Sequence, residues 1–78
     1  MKRVVIYTTP SCVYCREAKA FFAKHEVVFE EYNIASSGIK RQEMLDRSGQ
    51  MTVPVIDING NIVVGFNRLK VKELLGIS

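Results

Sequence analysis

An α/β fold, with a mixed four-stranded sheet flanked by three helices in the order β-α-β-α-β-β-α, follows from three features of the 78-residue sequence. Short runs of β-branched and aromatic residues alternate with segments whose apolar positions recur at helical spacing. The opening strand-helix-strand run requires a right-handed crossover and a parallel strand pair. Further on, Asn59-Gly60 separates two β-prone runs, a strong hairpin signal because both residues tolerate positive φ.

Taken in order, RVVIY at 3 to 7 reads as a short buried strand that stops at the turn Thr-Thr-Pro-Ser. A helix then begins at Ser11 or Cys12. From Val13 to His25, Cys15, Ala18, Phe21 and Phe22 share one apolar face, with Arg16, Glu17, Lys19 and Lys24 opposite. VVFEEYNI at 27 to 34 is the second strand, closed by the turn-rich Ala-Ser-Ser-Gly at 35 to 38. Ile39 to Arg47 reads as a helix with Met44 and Leu45 on one side and Gly49 as its stop. VPVIDI at 53 to 58 and NIVVGF at 61 to 66 form the hairpin, which extends the same sheet. The last helix runs to Leu75, with Asn67 as N-cap, Leu69, Val71, Leu74 and Leu75 on its apolar side and Gly76 after it.

A chain this short supports one domain, residues 1–78, so every functional group shares one small core. The basic start MKRVVIY has too short an apolar run for a secretory leader, and no stretch approaches the roughly 18 apolar residues of a membrane span. The expectation is a cytoplasmic monomer with no membrane association. Eleven Lys/Arg against eight Asp/Glu give +3, but the basic residues are spread along the chain rather than gathered in a stripe, which argues against nucleic acid. A mild positive balance does suit small anionic or thiolate-bearing ligands.

The chemistry is concentrated in "TTPSCVYC", where Cys12 and Cys15 lie three positions apart. A permanent staple is a poor reading: disulfides in a reducing compartment are mostly transient and catalytic, and closing so short a loop constrains the unfolded chain little. A closed structural metal site needs four soft ligands, and this chain offers one cysteine pair and one histidine. His25 lies some 15 Å or more down the same helix at roughly 1.5 Å per residue. No metal site is therefore expected within one chain, although two chains pooling cysteines around zinc or an iron–sulfur cluster is an alternative.

Redox chemistry explains the spacing better. Residues three apart in a first helical turn meet the Cα separation of roughly 4.4–6.8 Å that a disulfide needs. At the helix N-terminus, unpaired N–H groups and the positive dipole end stabilise a Cys12 thiolate, lowering its pKa below the usual value of about 8.5. Cys15, one turn in on the apolar face, is expected to be less exposed. Cys12 is thus the attacking thiol and Cys15 the resolving one. A Cys-x-x-Cys that follows a strand and opens a helix within a β-α-β unit is the context of a thioredoxin-like motif.

From Val4 to about Leu75 the chain resembles the glutaredoxin family, on "IYTTPSCVYC" and "SGQMTVPVIDINGN" together. The resemblance implies the thioredoxin-like fold and a thiol-disulfide oxidoreductase that reduces protein or low-molecular-weight disulfides, with glutathione as cosubstrate and no permanently bound cofactor. It implies that the Val53-Pro54 bond is cis and faces the cysteines, that Val53 pairs through its backbone with the substrate, and that Thr52 lines the same groove. Tyr14 then flanks the glutathione site, and Gly65, Phe66 and Asn67 receive the γ-glutamyl carboxylate. Each has a plainer reading: Pro54 as a trans strand starter, Tyr14 as an exposed aromatic, Gly65 to Asn67 as a strand end and helix cap.

The chain departs from the family pattern at several positions. Thr9 stands where many glutaredoxins have Lys near the glycyl carboxylate, leaving Lys40 or Arg41 as replacements or as a solvated helix face. Val13 replaces the proline of Cys-Pro-Tyr-Cys, restoring an N–H in the first turn. Gly65-Phe66 resembles instead the glutaredoxin-like redoxins that thioredoxin reductase reduces and that donate electrons to ribonucleotide reductase. That redoxin is the second functional expectation, and a glutathione-assisted iron–sulfur dimer the third.

Overall fold

The strand β1 (Val4–Thr8) is buried at all five positions because it runs through the interior of a sheet covered on both faces. The computed structural model describes residues 3–77. Beyond β1 the chain forms α1 (Val13–Lys24), β2 (Glu30–Asn33), α2 (Gly38–Ser48), β3 (Val55–Ile58), β4 (Asn61–Val64) and α3 (Arg68–Leu75). The sheet order is β2-β1-β3-β4, with β1 and β2 parallel and the other two pairs antiparallel. This is the mixed thioredoxin-like arrangement that the sequence predicts.

Period-two alternation divides the core between the two faces of the sheet. Val4 and Ile6, with Ile56, Ile58 and Val63, meet Ala18, Phe21 and Phe22 of α1 and Val71 of α3. Val5, Tyr7 and Val55 face the other way, onto Met44 of α2 and Ile34. Phe22 is fully buried and packs on Phe29 with ring centroids 5.3 Å apart. Truncating such a side chain to alanine costs about 3–5 kcal/mol.

The helix ends follow from local chemistry. Ser37 and Asn67 accept from the N–H groups of Lys40 and Lys70 at 3.2 Å, capping α2 and α3. Gly49 closes α2 in the left-handed region at φ 71°, a conformation that glycine adopts without a Cβ penalty. The hairpin turn has Asn59 at φ 52° and Gly60 at φ 91°, as its sequence signal requires.

Two expectations are corrected. The second strand starts at Glu30 rather than at residue 27, because the Val27 N–H closes α1 by donating to the Phe22 carbonyl at 2.8 Å. Val28 is consequently 87% exposed, while Val27 and Phe29 pack beside the core as irregular chain. Leu69 lies outside the apolar side of α3 and is also largely exposed, leaving Val71, Leu74 and Leu75 to anchor that helix. Among the described residues, no helix is long and apolar enough to cross a membrane.

Candidate redox site

Register and direction bring the predicted residues to one end of the sheet. Tyr7 pairs with Val55 and Val55 with Val64, so the end of β1, the start of β3 and the end of β4 coincide. Because β2 is parallel to β1, all three helices begin at this same end. Cys12 caps α1, Ser37 caps α2 and Asn67 caps α3. Thr52, Val53 and Pro54 lead into β3, and Gly65 and Phe66 lead out of β4.

Cys12 and Cys15 are joined as a disulfide with Cα atoms 5.2 Å apart. Cys12 Sγ accepts the Cys15 backbone N–H at 3.1 Å, the bond an N-cap side chain makes. The two sulfurs differ in access: Cys15 is 1% exposed, whereas Cys12 is half-buried and reachable. Helix periodicity produces that asymmetry, since Cys15 shares the inward face with Ala18 and Phe22 while Cys12 precedes the first turn. An incoming thiolate therefore meets Cys12 first, and Cys15 can exchange only with Cys12 or with a group already on it.

The flanking residues differ in exposure and packing. The Val53-Pro54 peptide bond is cis, as the resemblance implies, with Pro54 buried, Val53 half-buried and Thr52 exposed. Gly65 donates its N–H to the Pro54 carbonyl at 2.7 Å, fastening the turn after β4 to the segment before β3. Tyr14 is 63% exposed beside the cysteines. Phe66 turns its ring onto Phe21, with centroids 5.7 Å apart, so it is a packed wall of the region rather than an open surface.

Polar groups that the sequence did not single out brace this end. Thr8 ends β1 four residues before Cys12 and donates its hydroxyl to Glu31 at 2.8 Å. Lys19 of α1 reaches the same carboxylate oxygen at 2.8 Å. The Lys19 hydrogen bond, helped by Thr8, holds the Glu31 carboxyl below its usual range against the opposing effect of burial. On the opposite face the Tyr7 hydroxyl donates to Glu43 at 2.8 Å. Burial, and then that carboxylate, pushes the Tyr7 phenol up to about 12. Asp57 is buried with its charge met by Arg47 and by the Gly60 N–H. A lone acid inside the apolar run VPVIDI was the sequence signal for that buried pair.

Lys40, a suggested replacement for the cation missing at Thr9, has other partners. Its ammonium lies 3.9 Å from the Tyr32 ring centroid and 3.4 Å from Glu43. Among the described residues, no three His, Cys, Asp or Glu side chains gather as a metal site needs.

The protein-family model for glutaredoxin matches residues 4–63. The chain belongs to the glutaredoxin family. It is 40% identical over 76 residues to glutaredoxin 3 of Escherichia coli, covering 97% of this chain and 92% of that one. It is 39% identical over 72 residues to an uncharacterised glutaredoxin-like 8.6 kDa protein in the rubredoxin operon of Clostridium pasteurianum, covering 92% of this chain and 96% of that protein. The crystal structure of a glutaredoxin from Archaeoglobus fulgidus superposes with a TM-score of 0.86 at 28% identity, over 96% of this chain and 87% of that one. Glutaredoxins are thiol-disulfide oxidoreductases, and Cys12 with Cys15 is the redox-active pair of this one.

Proposed function

We propose that this glutaredoxin reduces protein or low-molecular-weight disulfides at the expense of glutathione. The observation that carries the reading is the unequal access of a helix-capping Cys12 and a buried Cys15. In the reduced protein the Cys12 thiolate attacks one sulfur of the substrate, breaking its S–S bond and releasing one thiolate, which takes a proton from water. Cys15 then attacks Cys12 Sγ, forming the disulfide and releasing the second substrate thiolate. Glutathione thiolate next attacks Cys12 Sγ, expelling Cys15. A second glutathione attacks the glutathionyl sulfur, freeing Cys12 and leaving glutathione disulfide. Two electrons pass in each half-cycle.

In this reading Val53 pairs through its backbone with the bound cysteinyl residue as an added strand does, with Thr52 beside it. Tyr14 flanks the glutathione, and the turn from Gly65 through Phe66 to Asn67 offers N–H groups at the start of α3 to its γ-glutamyl carboxylate. A second reading is favoured by Thr9, by Gly65-Phe66 and by the prior engagement of Lys40 with Tyr32 and Glu43. In that case thioredoxin reductase supplies the electrons and ribonucleotide reductase is the recipient.

Parallel kinetics decide between them: turnover of a small disulfide with glutathione and glutathione reductase, and separately with thioredoxin reductase and NADPH. The first reading expects turnover with glutathione. Turnover only with thioredoxin reductase selects the second.

A further inference from the structure

Two of the clefts among the described residues differ in how their charges are arranged. The cleft beneath α2, about 370 Å³, is lined by cations that already have partners: Arg3 meets Glu30, Lys40 meets Glu43 and Arg47 meets Asp57. The groove between α1 and α3, about 380 Å³, has Phe21 in its lining and Lys24, His25, Arg68 and Lys72 around it, with Glu17 as its one acid. Among the described residues, none of its Lys and Arg side chains has a carboxylate within salt-bridge distance. Residues far apart in sequence thus form a local positive patch that inspection of the linear chain does not reveal.

We propose that this groove docks an acidic segment of a polypeptide substrate that follows or precedes the disulfide presented to Cys12, an inference that rests on the redox reading above. Three features support that occupant. Clustered cations without internal partners repel one another, and a segment bearing carboxylates relieves the repulsion. Arg68 is held in advance, its guanidinium 5.8 Å from the Phe66 ring centroid and 6.0 Å from that of Phe21, leaving donor edges for a carboxylate. Ala20 and Phe21 add apolar lining, and the His25 ring lies tilted at 52° against that of Phe21 with centroids 4.4 Å apart, which suits a side chain between the acids better than a bare phosphate backbone.

The groove also has the right reach. Along α1, Glu17 is about 8 Å and Lys24 about 18 Å from Cys12 at 1.5 Å per residue. An extended segment covers that interval in roughly two to six residues, so the substrate's acids lie that far from its cysteine.

The test uses two peptides of about twelve residues, each with one cysteine held as a mixed disulfide to a chromogenic thiol, flanked by Asp and Glu in one and by Asn and Gln in the other. The reduced wild-type protein is expected to react about tenfold faster with the acidic peptide at low ionic strength, and the advantage to fade at high salt. Lys24→Gln with Lys72→Gln is expected to erase the advantage, and Lys24→Arg with Lys72→Arg to keep it. Both double variants react normally with an uncharged small disulfide. Equal rates for the two peptides, or a preference that survives the Gln variant, overturns the proposal.

Failure of the redox reading is separately visible as no reaction with the small disulfide. Docking is then still read from the fluorescence anisotropy of a labelled, cysteine-free acidic peptide. Tighter binding of single-stranded DNA of equal charge overturns the choice of polypeptide.

Discussion

The Cys15 backbone N–H donates to Cys12 Sγ across 3.1 Å, so one residue of the redox pair caps the helix that buries the other. Cys12→Ser retains a good capping side chain and should fold, yet abolish thiol exchange with every substrate. Cys15→Ser should preserve exchange through a glutathione mixed disulfide and lose reactions that require the intramolecular disulfide. Stopped-flow exchange assays check both variants. A dead Cys15→Ser beside an active Cys12→Ser reverses the assignment.

Thr8 and Lys19 meet on Glu31, and that carboxyl is held low by Lys19 first and Thr8 second. A depressed carboxyl contributes stability that is present above its unfolded value and lost as pH falls through the folded one. Thr8→Val should cost about 1–2 kcal/mol at neutral pH. The cost should shrink well below the ordinary carboxylate value of about 4.3. Urea denaturation at the two pH values measures it, and an unchanged difference rejects the ionised carboxylate as its source.

Tyr7 shows the opposite sign. Its phenol is raised to about 12 by burial and by Glu43, so its contribution is intact below the unfolded value and lost as pH rises through the folded one. Tyr7→Phe should cost about 1 kcal/mol near neutrality. Its melting temperature should then fall less steeply than that of wild type between about pH 10 and 12. Parallel alkaline melts check this.

Glu26 holds φ at 57° just after α1, in the left-handed region that favours glycine. Glu26→Gly should raise stability by about 0.5–1 kcal/mol, the relief of the Cβ contact exceeding the added freedom of the unfolded chain. Chemical denaturation of the two proteins measures the difference.

Much of this was legible because the decisive signals are local. Asn59-Gly60 specifies its own turn, and Cys12 and Cys15 are placed by one turn of helix. The apolar face Cys15, Ala18, Phe21 and Phe22 needs only the helical period, and all four are buried. What sequence did not reveal depends on which elements become neighbours. Glu31 finds Lys19 across the gap between β2 and α1, and Lys24 joins Arg68 and Lys72 only because α1 and α3 cover the same sheet face. Val27 to Phe29 have strand-forming side chains, but the Val27 N–H is taken by the end of α1 before β2 can begin. The bond from Gly65 to Pro54 likewise joins residues whose partnership is set by hairpin register.

Under the proposed function, that last bond makes the β3-β4 hairpin a ruler between the two segments assigned to substrate and glutathione. Thr52 to Pro54 enter one strand and Gly65 to Asn67 leave the other, while Asn59 and Gly60 close the far end. The separation and relative orientation of the two segments are therefore set by strand pairing that begins at a turn remote from either cysteine. A slip of one residue in that pairing would invert which side chains face each way and take Val63 out of the core. The spacing of the two segments is thus set from the opposite pole of the molecule, by strand pairs that include neither cysteine.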